Sequence, residues 1–156
     1  MLFGKLLLQH AHSLRAANLK ESFLERLEYT ETGKPFIRGE TGFNISHSGN
    51  IVVLALVDDG SVDIDVERIL TTGFDDLSSY LPEIAELESG DARERLSMLY
   101  DCWTRKEAVL KGIGSGLQIP LEQVNLSGDR ALINDKVWHL QKIDCGAGYM
   151  CNAATS

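Results

Sequence analysis

The sequence predicts an α+β fold built from helices and antiparallel strands. Three observations support this prediction. Apolar residues recur at helical spacing near the N-terminus and again over residues 98–112. Two β-branched runs in the middle of the chain are separated by the turn sequence "DDG". The C-terminal stretch alternates short apolar runs with turn residues, which is typical of strands.

Composition limits the classes of function. The chain has 156 residues, enough for one domain or for two small lobes around a shared core. Its net charge of −8 argues against non-specific binding to nucleic acid. An anionic ligand would therefore need a local basic site or a metal ion.

Cysteine usage and the N-terminal residues indicate the compartment. The three cysteines are odd in number and lack the spacing of a zinc site, which predicts reduced thiols in the cytoplasm. The opening "MLFGKLLLQHAHS" has too short an apolar run for a signal peptide or a membrane span. We therefore expect no membrane partner.

Helical periodicity extends over residues 2 to about 28. Asn18 is a candidate cap for a second helix in this stretch, with Glu21 completing a capping box. The inner face is predicted to comprise Leu6, Leu7, Leu14, Leu19, Phe23, Leu24 and Leu27.

The middle of the chain predicts a turn and a hairpin. "TGKPFI" combines turn residues with a short extended segment. The runs Ile51–Val57 and Val62–Val66 are predicted to pair as a β-hairpin across "DDG". Residues 68–98 are polar and are predicted to be mostly helical, with Pro82 opening or breaking a helix and "ESGDARER" forming a loop before the helix restarts.

A further helix is predicted over residues 98–112. It is followed by a glycine-rich segment and by three predicted strands, with turns at "NDK" and "DCGAG". "FNIS" before the first hairpin resembles "VNLS" before the last strands. Two related lobes would produce such an echo. We expect one lobe over about 1–60 and one over about 61–156, within a single 1–156 domain.

Asp63 and Asp65 are two residues apart on a predicted strand, so both point to one face, about 6.6 Å apart along the strand. One interpretation is a solvated strand face. The other is a Mg²⁺ site, because Mg²⁺ takes one or more carboxylates and completes its shell with water and phosphate oxygens. A third carboxylate from another element would favour the metal site.

Glu107 and Lys111 are i and i+4 on the helix predicted over residues 98–112 and share a face of it. A surface ion pair is the ordinary interpretation of such a pair. Two features point to a function instead. Glu107 borders the apolar stripe, and the helix ends in three glycines, more than one helix cap requires. Glycines there permit close approach of a ligand or another backbone.

The segment "NISHS" offers Asn44, Ser46, His47 and Ser48 just before a predicted strand. Hydroxyl, imidazole and backbone N–H groups of such a cluster can bind phosphate. Equally, the cluster can be a turn whose polar side chains satisfy the local backbone.

Four motifs together resemble one enzyme family. "GKPFI", "FNISHSGN", "VDIDVERI" and "WTRKEAVLKGIGSGL" occur in the order found in 4′-phosphopantetheinyl transferases of the surfactin-synthetase-activating type. The resemblance implies two pseudo-symmetric lobes, each with a small antiparallel sheet and a packed helix. It also implies an activity: Mg²⁺-dependent transfer of 4′-phosphopantetheine from coenzyme A to a serine of an acyl or peptidyl carrier protein.

The resemblance also implies roles for particular residues. Asp63, Asp65 and Glu107 would bind the metal, and Glu107 would also serve as the base that activates the carrier serine. The residues implied to contact coenzyme A are Lys111 at the pyrophosphate, Ser46 and His47 at the phosphates, and Gly33, Lys34 and Pro35 at the adenine. Residues 114–144 would face the carrier protein. From charge alone, rather than from the resemblance, we also expect Arg105, Lys106 and Lys111 to attract an acidic carrier protein.

The sequence departs from the family pattern in three places. Asp65 stands where a glutamate is usual, and Ser61 replaces a common glycine. The chain also begins after the segment that grips the 3′-phosphate of coenzyme A in long family members. Three alternatives follow: Lys5 or Arg15 substitutes, a second subunit of a homo-oligomer completes the site, or the affinity for coenzyme A is weak. The alternative to an active enzyme is a degenerate member that binds coenzyme A or a carrier protein without catalysis.

Overall fold

A computed structural model describes residues 2–15, 23–31, 33–39, 42–71, 81, 91–114 and 119–156. It contains helix α1 (Leu2–Arg15), helix α2 (Ala92–Ile113) and two short 3₁₀ helices, Phe23–Arg26 and Leu121–Gln123. The strands are β1 (Glu28–Tyr29), β2 (Pro35–Phe36), β3 (Gly42–Ser48), β4 (Ile51–Val57), β5 (Val62–Arg68), β6 (Asn125–Ser127), β7 (Arg130–Ile133), β8 (Lys136–Lys142) and β9 (Tyr149–Thr155). Small antiparallel sheets with few helices confirm the predicted α+β class.

The strands form three antiparallel sheets. β1 pairs with β2, β3 pairs with β4, and the other five strands form one sheet in the order β5-β9-β8-β7-β6. Helix α2 packs on one face of the five-stranded sheet, where the main apolar core lies. The β3–β4 hairpin covers β5 on the opposite face, through Ile51, Val53 and Ala55. The proposed boundary between lobes near residue 60 stays a prediction.

Helix α1 packs on the outer face of the β3–β4 hairpin, and its buried side chain differs from the predicted ones. Leu8 is buried against Ile37 and Phe43, whereas Leu6 and Leu14 are exposed. The prediction that Leu6 and Leu14 face inward was therefore wrong, because the helix is rotated towards Gly4 and Leu8. The predicted cap at Asn18 lies outside the described residues.

The predicted strands over Ile51–Val57 and Val62–Val66 both exist, but they do not pair with each other. β4 pairs with β3, from Gly42 opposite Val57 to Ser48 opposite Ile51. β5 pairs instead with β9, the last strand of the chain. The predicted hairpin was wrong because "NISHS", for which a turn was one of two interpretations, is itself part of β3 and pairs with β4.

Polar side chains of β3 bind the free backbone edge of β5. Asn44 Oδ1 accepts a hydrogen bond from the Ile64 N–H at 3.1 Å. Ser46 Oγ accepts one from Val66 N–H at 3.3 Å, and Ser48 Oγ one from Arg68 N–H at 3.0 Å. Because side chains two residues apart point the same way, the N-x-S-x-S pattern provides one acceptor for every second residue of β5.

Helix α2 begins earlier than predicted. Asp91 caps it by accepting hydrogen bonds from the Arg93 and Glu94 N–H groups at 2.6 and 2.9 Å. Gly114 ends it in the left-handed region, at φ 77°. The buried side of α2 includes Leu99, Val109 and Leu110, which pack with Trp138 in the main core. This helix therefore fixes the position of Glu107 and Lys111 over the sheet.

The C-terminal segment forms four strands, β6 to β9, where three were predicted. Asn134 and Asp135 adopt positive φ angles of 50° and 59° in the two-residue turn between β7 and β8, as a type I′ turn requires. The predicted turn at "NDK" is thus confirmed. No helix among the described ranges is long and apolar enough to cross a membrane.

We predict that Asn44→Ala destabilises the protein by about 1–3 kcal/mol, because it leaves the buried Ile64 N–H without an acceptor. Ser48→Ala removes the acceptor for the N–H group of Arg68, an exposed residue, and should therefore lower stability by less. Urea denaturation of both variants measures the difference. Equal stability of Asn44→Ala and the wild type would contradict the role assigned to this side chain.

Candidate active site

Two buried aspartates of β5 lie at the centre of the site. Asp63 is 0% exposed and Asp65 is 3% exposed, so the interpretation as a solvated strand face was wrong. Both side chains face α2, while Ile64 and Val66 point into the apolar cluster on the other side of the sheet. Burying carboxylates requires compensating cations or hydrogen bonds. Two lysines provide the cations.

Lys34 and Lys111 each pair with one aspartate. The Lys34 ammonium group donates to Asp63 Oδ1. Lys111 Nζ donates to Asp65 Oδ1 at 2.5 Å, to Ser46 Oγ at 3.2 Å and to the Ile64 carbonyl at 3.4 Å. Lys111 therefore binds the strand rather than forming the simple surface pair with Glu107 that its spacing indicated.

Ser46 connects the hairpin to this site. Its hydroxyl donates to Asp65 Oδ1 at 3.3 Å while accepting from Lys111 and from the Val66 N–H. Its neighbour His47 points to the other side of β3 and is exposed. The structure thus brings Ser46, but not the ring of His47, into contact with the buried aspartates.

Glu107 and Glu67 extend the acidic cluster. Burial raises the pKa of Glu107, and the charge of Asp65 raises it further, while Lys111 lowers it. Burial also raises the pKa of Glu67, against a hydrogen bond from Ser48 Oγ at 2.7 Å that lowers it. Burial raises the pKa of Asp63 in the same way, opposed by Lys34.

Glu67 was not among the predicted site residues. It lies two residues after Asp65 on the same face of β5, and the charge of Asp65 influences its pKa. The alternation "DIDVE" contained the signal that could have identified it, because residues 63, 65 and 67 of one strand share a face.

Gly112 makes room for the carboxylate and for an aromatic ring. A Cβ atom at this position would overlap the six-membered ring of Trp138 and lie 3.0 Å from Asp63 Oδ2. Trp138 is 1% exposed, so it has little room to move away. The glycine is therefore required by the close approach of α2 to the sheet.

The donor chemistry of this cluster fits a hard divalent cation. Asp63 Oδ2, Asp65 Oδ2 and Glu107 Oε1 are buried and have no hydrogen-bond partner among the described residues. Carboxylate oxygens are the ligands that Mg²⁺ takes in proteins. Within the described part of the chain, however, no three His, Cys, Asp or Glu groups are already placed to hold a metal ion. Ligation by all three carboxylates would need their side chains to move.

The other predicted site residues have varied positions. Gly33 is exposed in a turn with φ 83°, and Pro35 begins the short strand β2. Lys34, predicted at the adenine, instead lies on Asp63. Arg105 bonds the Gly128 carbonyl and lies 3.8 Å from Asp101. Lys106 is 0% exposed, so its predicted role in attracting a carrier protein was wrong.

Fold and site together define a class of α+β protein in which an acidic strand, two lysines and a glycine-ended helix meet in one interior cluster. Comparison with known proteins identifies the family. Residues 61–149 match the model of the 4′-phosphopantetheinyl transferase superfamily. The chain belongs to this superfamily, as the sequence motifs indicated.

Individual relatives carry the same name. The chain is 34% identical over 123 residues to the 4′-phosphopantetheinyl transferase gsp of Aneurinibacillus migulanus, covering 77% of this chain and 50% of that protein. It is 37% identical over 97 residues to the 4′-phosphopantetheinyl transferase AcpT of Escherichia coli O157:H7, covering 58% and 50%. It is 32% identical over 100 residues to the 4′-phosphopantetheinyl transferase of Bacillus subtilis, covering 62% and 44%. The chain spans about half the length of these relatives.

We predict that Gly112→Ala destabilises the protein by about 1–3 kcal/mol, because the added methyl group overpacks Trp138 and Asp63. Glycine to alanine inside a helix normally stabilises by up to about 1 kcal/mol, so the sign of the change is diagnostic. Chemical denaturation measures it. A more stable Gly112→Ala protein would show that the helix and the sheet do not meet as closely as described.

We predict that Glu107→Gln stabilises the protein above the ordinary glutamate pKa of about 4.3. A raised folded-state pKa gives stability that is present at low pH and lost as pH rises through the folded-state value. The variant should therefore equal the wild type near pH 4 and be more stable than the wild type at pH 8, with a difference that grows as pH rises. Thermal denaturation from pH 4 to 8 in EDTA tests this, with the exposed Glu122→Gln as control. A difference that shrinks with rising pH would contradict it.

Proposed function

We propose that this protein transfers the 4′-phosphopantetheine group of coenzyme A to a serine hydroxyl of an acyl or peptidyl carrier protein, in the cytoplasm. The observation that carries the proposal is the cluster of buried carboxylate oxygens, flanked by lysines, that have no hydrogen-bond partner within the described part of the chain. Perturbed carboxylates next to cations are typical of catalytic sites. Family membership and the names of the relatives support the same reaction.

Asp63, Asp65 and Glu107 would hold Mg²⁺ in this proposal. Bound there, the ion would stabilise the negative charge that develops on the phosphate oxygens of coenzyme A. Lys111, already fixed at Asp65, supplies a second positive charge beside the same oxygens. Ser46 contacts Lys111 and is proposed to bind the phosphates on that side of β3. The exposed His47 is proposed to bind a phosphate from the other side of the strand, with Gly33 and Pro35 at the adenine.

Glu107 is proposed to accept the proton of the carrier serine. Its half-buried carboxylate has an oxygen without a hydrogen-bond partner in the described structure, which would be available to take up a proton directly or through a water molecule. The serine oxygen then attacks the phosphorus that carries the pantetheine arm, and the nucleotide phosphate departs.

A second candidate function is binding of coenzyme A or a carrier protein without catalysis. One observation favours it: each buried aspartate already has an oxygen paired with a lysine of the chain. The two functions differ in whether a divalent cation reaches these carboxylates in the presence of coenzyme A.

We predict that an apo carrier protein gains the mass of one phosphopantetheine when incubated with this protein, coenzyme A and Mg²⁺. Asp63→Asn and Glu107→Gln should lower the rate by about 100-fold or more, whereas the exposed Glu122→Gln should not. Mass spectrometry of the carrier measures the transfer. Binding of coenzyme A without any mass gain, over several acyl and peptidyl carriers, would favour the non-catalytic function.

A further inference from the structure

The Lys34–Asp63 ion pair carries an inference about how the site is loaded. We propose that Lys34 gates metal binding: its ammonium group holds the carboxylate that a divalent cation would ligate, and it transfers to a phosphate when cation and coenzyme A bind together. This inference rests on the proposed function and extends it. It makes Lys34 a positioning residue that couples the two ligands.

The ion pair joins a fixed group to a movable one. Asp63 is 0% exposed, and its other oxygen lies against Gly112 and α2. The Lys34 side chain is 24% exposed and follows the turn in which the Gly33 N–H donates to the Thr30 carbonyl at 2.9 Å. The lysine can therefore leave Asp63 for solvent by rotating its long side chain, whereas the aspartate cannot leave the interior.

The two lysines of the site are held differently. Lys111 donates to three acceptors, which are Asp65, Ser46 and the Ile64 carbonyl. Within the described residues, Lys34 Nζ has one acceptor, Asp63. An ammonium group with a single partner is the easier one to displace, so Lys34 is the lysine that a competing cation removes.

Competition for one carboxylate has two opposite consequences. A divalent cation arriving alone must break the ion pair and return Lys34 to water without a new partner, so Lys34 weakens its binding. When the cation arrives with a phosphate, the released ammonium gains an anionic acceptor. Lys34 therefore couples cation and coenzyme A positively, by a factor within the range of about 5–150 that is typical of linked sites.

The test is a Mn²⁺ titration of the wild type, Lys34→Met and Lys34→Arg, first without and then with coenzyme A, followed by electron paramagnetic resonance. Without coenzyme A, Lys34→Met should bind Mn²⁺ about 5-fold more tightly or better. At saturating Mg²⁺ the same variant should bind coenzyme A about 10-fold more weakly. Lys34→Arg keeps the charge and should resemble the wild type. Lys142→Met, which removes an exposed lysine 3.5 Å from Asp101, is the matched control.

Opposite changes in the two affinities distinguish a gate from a structural lysine, whose loss would weaken both. Unchanged or weaker Mn²⁺ binding by Lys34→Met overturns the gate and leaves the proposed metal site standing. Failure of every variant and the wild type to bind Mn²⁺ overturns both. If Lys34→Met does not fold, Lys34→Gln is read in the same way. If Lys34→Met shows the opposite changes in Mn²⁺ and coenzyme A affinity but the wild type transfers no phosphopantetheine, the result counts against the proposed function alone.

Discussion

The burial of two aspartates on one face of β5 is the constraint on which the rest of this structure depends. A carboxylate taken out of water costs several kcal/mol unless cations and hydrogen bonds replace the solvent. Those partners come from three distant parts of the chain: Lys34 from the turn before β2, Ser46 from β3 and Lys111 from α2. The strand therefore fixes where the first hairpin and the long helix must lie, and the same requirement assembles the site.

The lysines and hydrogen bonds at this site only partly offset the cost of burying its carboxylates. Burial raises the pKa values of Asp63, Glu67 and Glu107, so their charged forms oppose folding near neutral pH. The apolar core around α2 and Trp138 stabilises the fold against this strain. A chain selected for stability alone would place neutral residues at these positions. At the metal site proposed above, a bound cation would remove this unfavourable electrostatic contribution.

Sequence reasoning predicted the elements better than their pairing. Periodicity located α1, β4, β5 and α2, because it depends on neighbours along the chain. It missed β3, whose alternate positions carry Asn44, Ser46 and Ser48 and so lack the apolar alternation of an ordinary strand. Those side chains face the backbone edge of β5, a contact between residues about 20 apart that no local pattern reveals. The same limit applies to Lys34, whose partner lies 29 residues away.

The glycines at the C-terminal end of α2 show how one local sequence pattern can have two separate causes. Their density predicted close approach of another backbone or ligand. Gly114 is required where the helix ends, because it adopts φ 77°, a backbone conformation in which a residue with a side chain would be strained. Gly112 has ordinary helical backbone geometry. It is required for a different reason, because Trp138 and Asp63 occupy the volume that a Cβ atom would need. The last turn of α2 is thus shaped by the core on one side and by the carboxylate on the other. Lys111 directly precedes Gly112, so the packing that excludes a methyl group at residue 112 also holds the Lys111 ammonium group over Asp65.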